Sequence, residues 1–179
     1  MVSKPLTSNW WWIFPRSVLL IGLFLILHYV YEWFPSTFTQ IIGATGESNF
    51  QHWKIATFSF IILTLIEIPL SIGELKNDWW WFGKIFSIVF ITFVIFILHY
   101  FALMFMNVQP VPVVEIVIAN IVLLSANIAT SVLEWQFRDK KVHVGVKVVL
   151  VVLLCFIIAE FVVFTLKMPI YDVFEFITT

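Results

Sequence analysis

Two histidines, several carboxylates and a few amides stand inside stretches that are otherwise apolar, and any chemistry in this chain rests on them. On helices rising about 1.5 Å per residue, His28 falls ~9 Å and His99 ~10 Å below one expected membrane face. Glu160 at ~9 Å, Glu115 at ~5 Å and Asn120 at ~12 Å share that layer by the same rise. Glu32 follows His28 by one helical turn, on the same face. The loop beyond adds Glu47, Asn49 and His52, while Glu67 and Glu134 lie toward the opposite face with Asn127 between the layers. Imidazole and carboxylate together ligate zinc, iron and manganese, and His28, Glu32, His99, Glu115 and Glu160 form a candidate metal set. His28 and His99 on separate helices could instead hold a haem axially. Without a metal, His28, Glu32, Glu47 and His52 are candidates for general acid–base catalysis. Ionisable groups within a bilayer are costly and functional by default. The competing reading is packing for the histidines and headgroup placement for Glu32, Glu47, Glu115 and His52. No HExxH, EF-hand, P-loop or GxSxG pattern narrows the choice.

The elements that carry these residues follow from composition. Of 179 residues, 61% are hydrophobic and 12% charged, with a mean hydropathy of +1.02. A soluble domain averages roughly 45–50% apolar and about 25% charged residues. A chain of this size cannot hide such a surplus internally, so its solvent is lipid. Ten basic against eleven acidic residues leave no basic excess for a nucleic acid. The lone Cys155 rules out an intrachain disulfide. Five stretches, 17–34, 52–73, 83–106, 112–137 and 144–166, are long enough to cross a bilayer. The expected fold is a single all-α transmembrane domain over residues 1–179, a polytopic bundle of five helices. Pro35, Gly73, Pro110, Pro112 and Pro169 fall at expected helix ends, and Pro69 inside the second span is expected to kink it. Lys4, Arg16, Lys76, Lys84, Arg138, Lys140, Lys141 and Lys147 fall on one side and Lys54 and Lys167 on the other. That bias predicts a cytoplasmic N-terminus and an outer C-terminus. With no sequon, retention signal or lipidation motif, a prokaryotic plasma membrane is the expected location. The first span lacks a small-residue cleavage site and reads as a retained helix. His143 sits in the basic loop and takes no role.

The chain also echoes itself. Trp10-Trp11-Trp12 returns as Trp79-Trp80-Trp81, Leu27-His28-Tyr29 as Leu98-His99-Tyr100, and Leu65-Ile66-Glu67 as Val132-Leu133-Glu134. In each copy a Trp belt precedes a basic residue, Arg16 or Lys84, then an apolar run, a His-Tyr pair and a second helix ending near a Glu. The pattern fits a duplicated two-helix unit plus a fifth helix. Chance similarity between low-complexity apolar segments is the alternative.

His28-Tyr29-Val30-Tyr31-Glu32-Trp33, then Gly46-Glu47-Ser48-Asn49-Phe50-Gln51-His52-Trp53-Lys54 and later Glu67, resembles a family of small uncharacterised bacterial multi-pass membrane proteins. That family carries a His-x-x-Tyr-Glu-Trp helix end, an Asn-Glu-Ser-x-x-Glu-His-x-Lys segment and a Glu one helix later. Gly46 stands for its Asn and Gln51 for its second Glu, whereas Glu47, Ser48, His52 and Lys54 match. The resemblance covers about the first 70 residues, and Met168-Pro169-Ile170-Tyr171-Asp172 resembles the family's Pro-Leu-Phe-x-Asp ending. It implies that His28, Glu32, Glu47, His52, Lys54 and Glu67 form a shared polar signature; it implies no activity. The His28…Glu32 spacing is also similar to emopamil-binding-type membrane proteins.

The expectation is an outward-facing pocket lined by His28, Glu32, His99, Glu115 and Glu160, under the 47–54 loop and the 172–175 tail. It would bind a metal or haem, or act on a lipidic substrate. One rival is ion or proton transport along Glu67, Asn127 and Glu134. Another is a structural subunit, with membrane lipids, a second copy or membrane-complex proteins as partners.

Overall fold

The computed structural model describes residues 9–106 and 112–167, with the side chains of 99–106, 112–113 and 115–116 outside the description. It is all helical, with no strand among the described residues. A 3₁₀ turn, Trp10–Trp12, leads into α1 (Ile13–Trp33), followed by a short α2 (Thr37–Ile42), α3 (Asn49–Leu70), α4 (Asp78–Met106), α5 (Pro112–Gln136) and α6 (Val144–Leu166). Five helices are long and apolar enough to cross a membrane. They match the five expected spans to within a few residues; α2 was not expected, being too short to leave a periodic signal.

Local chemistry sets the helix ends. Asn9 caps the 3₁₀ turn, and Ser36 with Thr39 forms a reciprocal capping box at α2. Ser48 accepts from the Gln51 amide at the start of α3. His143, given no role from sequence, caps α6 through its side chain, which accepts from the Gly145 amide at 3.1 Å. Pro69 stands in the last turn of α3, which ends one residue later, so it terminates the helix instead of bending its middle.

Helices α1, α3, α4 and α5 close a four-membered ring in which α1 packs on α3 and α5, and α4 packs on the same two. The expected repeat units are α1 with α3 and α4 with α5, and each helix of one unit packs on a helix of the other. Leu20, Phe60, Leu63, Ile91, Leu123 and Ala126 fill the centre of the ring. Helix α6 lies outside the ring against α4 and α2, and Leu150, Ile157 and Phe161 join it to Phe50, Phe58 and Phe82. In lipid such packing gains dispersion energy and interhelical hydrogen bonds more than hydrophobic burial. The Thr57–Thr92 hydroxyl pair at 2.9 Å and the Asn127 amide donating to Ser17 Oγ at 2.8 Å are bonds of that kind.

Candidate metal centre and the buried charge cluster

The α1–α3 connection folds back onto α1 because its backbone can approach closely at Gly43. A Cβ there would stand 2.5 Å from Val30 Cγ1 and 2.9 Å from the Leu27 carbonyl oxygen. With no side chain in the way, the Ala44 amide donates to that carbonyl at 3.0 Å. The returning loop is then braced by Gln51, whose Nε2 donates to Thr45 Oγ1 at 2.8 Å. From sequence, Gln51 marks a missing carboxylate; in the fold it is fully buried and holds the loop shape. Lys54 has a similar part. It is fully buried and donates to the Gln40 carbonyl at 2.8 Å and to Thr165 Oγ1 at 3.1 Å, tying α3 to α2 and α6.

This scaffold sets Glu47, one residue before the α3 cap, between His28 near the end of α1 and His52 in the first turn of α3. His28 Nε2 is 3.4 Å from Glu47 Oε1, and His52 Nε2 is 3.3 Å from Glu47 Oε2. The two imidazoles meet edge to face at 5.5 Å, with Phe24 behind both at 6.4 Å. One ligand atom from each of the three residues lies within 4.8 Å of the others. In a tetrahedral site with bonds near 2.1 Å, ligand atoms stand roughly 3.4 Å apart. The two short distances run to different oxygens of Glu47, so the one-atom-per-residue set is bounded by 4.8 Å. Side-chain exposure is 17% for His28, 29% for His52 and 58% for Glu47, so the cluster is reachable from one end of the bundle. Hydrogen bonding to His52 holds the Glu47 carboxyl below its usual value, against the opposing effect of partial burial. Among the described residues, buried His28 Nδ1 has no hydrogen-bond partner, which leaves Glu47 to set the tautomer of that ring.

The remaining candidates are placed differently. Glu32 is exposed at the end of α1 and is not a member of the triad, and Glu160 is exposed on α6 and is not a member either. A helix-face argument chose Glu32; the loop closure, which supplies Glu47 in its place, has no signature in periodicity. Asn120 is half-buried on α5. The side chains of His99 and Glu115 and the 172–175 tail lie outside the described residues, and with them the paired-histidine haem arrangement.

At the opposite end, Glu67 and Glu134 each meet two cations. Lys84 Nζ bridges them, 2.6 Å from Glu67 Oε2 and 2.6 Å from Glu134 Oε2. Arg16 binds Glu134 in fork geometry, at 2.8 and 3.2 Å, and also donates to Ser131 Oγ at 2.9 Å. Trp12 Nε1 donates to Glu67 Oε1 at 2.7 Å. Arg16, Glu67 and Lys84 are buried, so two residues counted from sequence as orientation signals are interior groups. Arg16 and Lys84, and Glu67 and Glu134, occupy matching places in the sequence echo, and all four converge.

No protein-family model, curated protein or solved structure matches this chain.

Proposed function

We propose that this integral membrane protein binds a divalent transition-metal ion of the zinc type through His28, Glu47 and His52. The observation that carries the reading is the convergence of one ligand atom from α1, one from the loop and one from α3 within 4.8 Å. Two imidazoles and a carboxylate are the protein ligands of open zinc sites, which keep a fourth position for water or substrate. Glu47 is the most exposed of the three, so that position faces outward at the end of the bundle. A zinc ion bound there would supply an acidified water at the edge of the bilayer, suited to hydrolysis of a lipidic substrate. The bias of basic residues toward the other end supports an external site with the N-terminus inside.

The test is zinc titration of the full chain, purified in detergent and stripped with chelator, read by calorimetry and elemental analysis. One zinc per chain is expected, with the stoichiometric site lost in His28→Ala and in His52→Ala. Absence of a stoichiometric site in the wild-type protein, or its survival in both variants, overturns the reading.

A further inference from the structure

The charge cluster borders a cavity of about 440 Å³, within the roughly 300–1,000 Å³ of small-molecule sites. Its walls carry the indoles of Trp10, Trp12, Trp79, Trp80 and Trp135, with Ile13 and Val132 beside them. Arg16, Lys84 and Arg138 also line it, with Glu74 and Glu134. Each of these charges is already paired inside the protein. Arg16 and Lys84 are held by Glu134 and by Glu67, and Arg138 by Glu74. Three cations therefore face three carboxylates, and no net charge is left for a ligand. A charged ligand would give up its water without finding an unpaired counter-charge, a desolvation cost that nothing offsets. An uncharged one meets no such cost and gains the contact area of the rings.

The mouth of the cavity decides what can enter. Trp10, Val132 and Trp135 are 47%, 41% and 53% exposed, whereas Arg16, Trp80 and Lys84 are buried. The three exposed side chains belong to membrane-spanning stretches, Trp10 at the start of one and Val132 and Trp135 near the end of another. Lipid, not water, is thus the solvent around them, at the level where tryptophan belts sit. An apolar hollow open to that solvent takes up what it supplies, hydrocarbon bearing a weakly polar head. Asn9, exposed beside Trp10, brings an uncharged amide to the cavity, a partner for a hydroxyl or an ester carbonyl.

We propose that this cavity binds one uncharged lipid, its hydrocarbon between the indoles and its hydroxyl or ester group at Asn9. The internal pairing of the lining charges selects against acidic and cationic lipids. The site lies at the opposite end of the bundle from the histidine cluster and does not rest on metal binding there.

The test uses the full chain in detergent, with a short-chain diacylglycerol and the phosphatidic acid of the same chains as probes, read by calorimetry. Saturable binding of one diacylglycerol per chain is expected, at least about tenfold tighter than phosphatidic acid. Val132→Trp fills the mouth from an exposed position, and Trp135→Ala removes part of a wall. Each should weaken diacylglycerol binding about tenfold with the melting temperature unchanged. Ile128→Trp is the control: Ile128 is 48% exposed one turn earlier on α5, outside the cavity lining, and its variant should bind as the wild type does. Non-saturable uptake of diacylglycerol or equal or tighter binding of phosphatidic acid overturns the proposal. So does wild-type affinity in both cavity variants, or an equal loss in Ile128→Trp.

Discussion

The two ends of the bundle differ in how their carboxylates are paired. At the histidine end, two imidazoles flank one partly exposed carboxylate, which is hydrogen-bonded to His52. At the other end, both oxygens of each of two carboxylates are bonded by Arg16, Lys84 or Trp12. Burial differs in the same sense: Glu67 is fully buried, whereas the Glu47 side chain is 58% exposed. A buried carboxylate with both oxygens hydrogen-bonded supports the fold, whereas a partly exposed one is open to solvent. The difference lies in saturation, since both ends draw on helices α1 and α3.

The sharpest way to break the comparison is to remove one member of the saturated end. Glu134→Ala would leave Arg16 and Lys84 sharing a single carboxylate in a buried site. Loss of one partner from a buried ion pair costs roughly 3–5 kcal/mol, because the remaining charge is uncompensated. Unfolding in mixed detergent should report a loss of that size, and Lys84→Met added to Glu134→Ala should recover part of it. If the two substitutions were merely additive, the four groups would not act as one network.

At the unsaturated end the expected effects fall on binding instead. His52→Ala should lower zinc affinity by more than about 100-fold, since it deletes one of three ligands, while unfolding in detergent changes little. A stability loss as large as that of Glu134→Ala would show that the histidine end is also a structural anchor. Gly43→Ala tests the support of the site without touching a ligand. Its added Cβ has no room against Val30 and the Leu27 carbonyl, so the loop must shift and carry Glu47 with it. Displaced supporting groups typically cost 10–100-fold in metal affinity, and about tenfold is expected here. Unaltered affinity would mean that Glu47 is not held by the loop closure at Gly43.

How much of this was legible in the sequence depends on range. The five spans were, because an apolar window of membrane length has few alternatives in so short a chain. His28, Glu47 and His52 were grouped from sequence, together with Glu32, as acid–base candidates, but not as a metal-ligand set. The helix-face argument paired His28 with Glu32, while Glu47 arrives through a loop whose path depends on Gly43, Ala44 and Gln51. The charge cluster was half visible. Glu67 and Glu134 stood out as membrane carboxylates, but Arg16 and Lys84 looked like boundary charges because each lies near a helix start. Only the echo of Trp belt, basic residue and helix-ending Glu carried the pairing, and a contact of two helices is what turns that echo into geometry. For α2 and the His143 cap, the determining interactions are a few side chain–backbone bonds that leave no periodic trace.

A third class of polar contact sets the lower bound of the comparison. Lys147 at the start of α6 pairs with Asp78 at the start of α4, at the same end of the bundle as the buried cluster. The Asp78 side chain is 83% exposed, so water solvates it whether or not the pair forms. Exposed pairs of this kind contribute roughly 0–1 kcal/mol, and salt weakens them further. Lys147→Ala should therefore shift stability by less than about 0.5 kcal/mol, with no change in zinc affinity. The ion pairs at this end would then differ in worth several-fold although their charges are alike, because only the buried ones lack water as a substitute partner. A loss approaching that of Glu134→Ala would instead mean that Lys147 is sheltered from solvent once the bundle sits in lipid, and that the saturated end extends outward to α6.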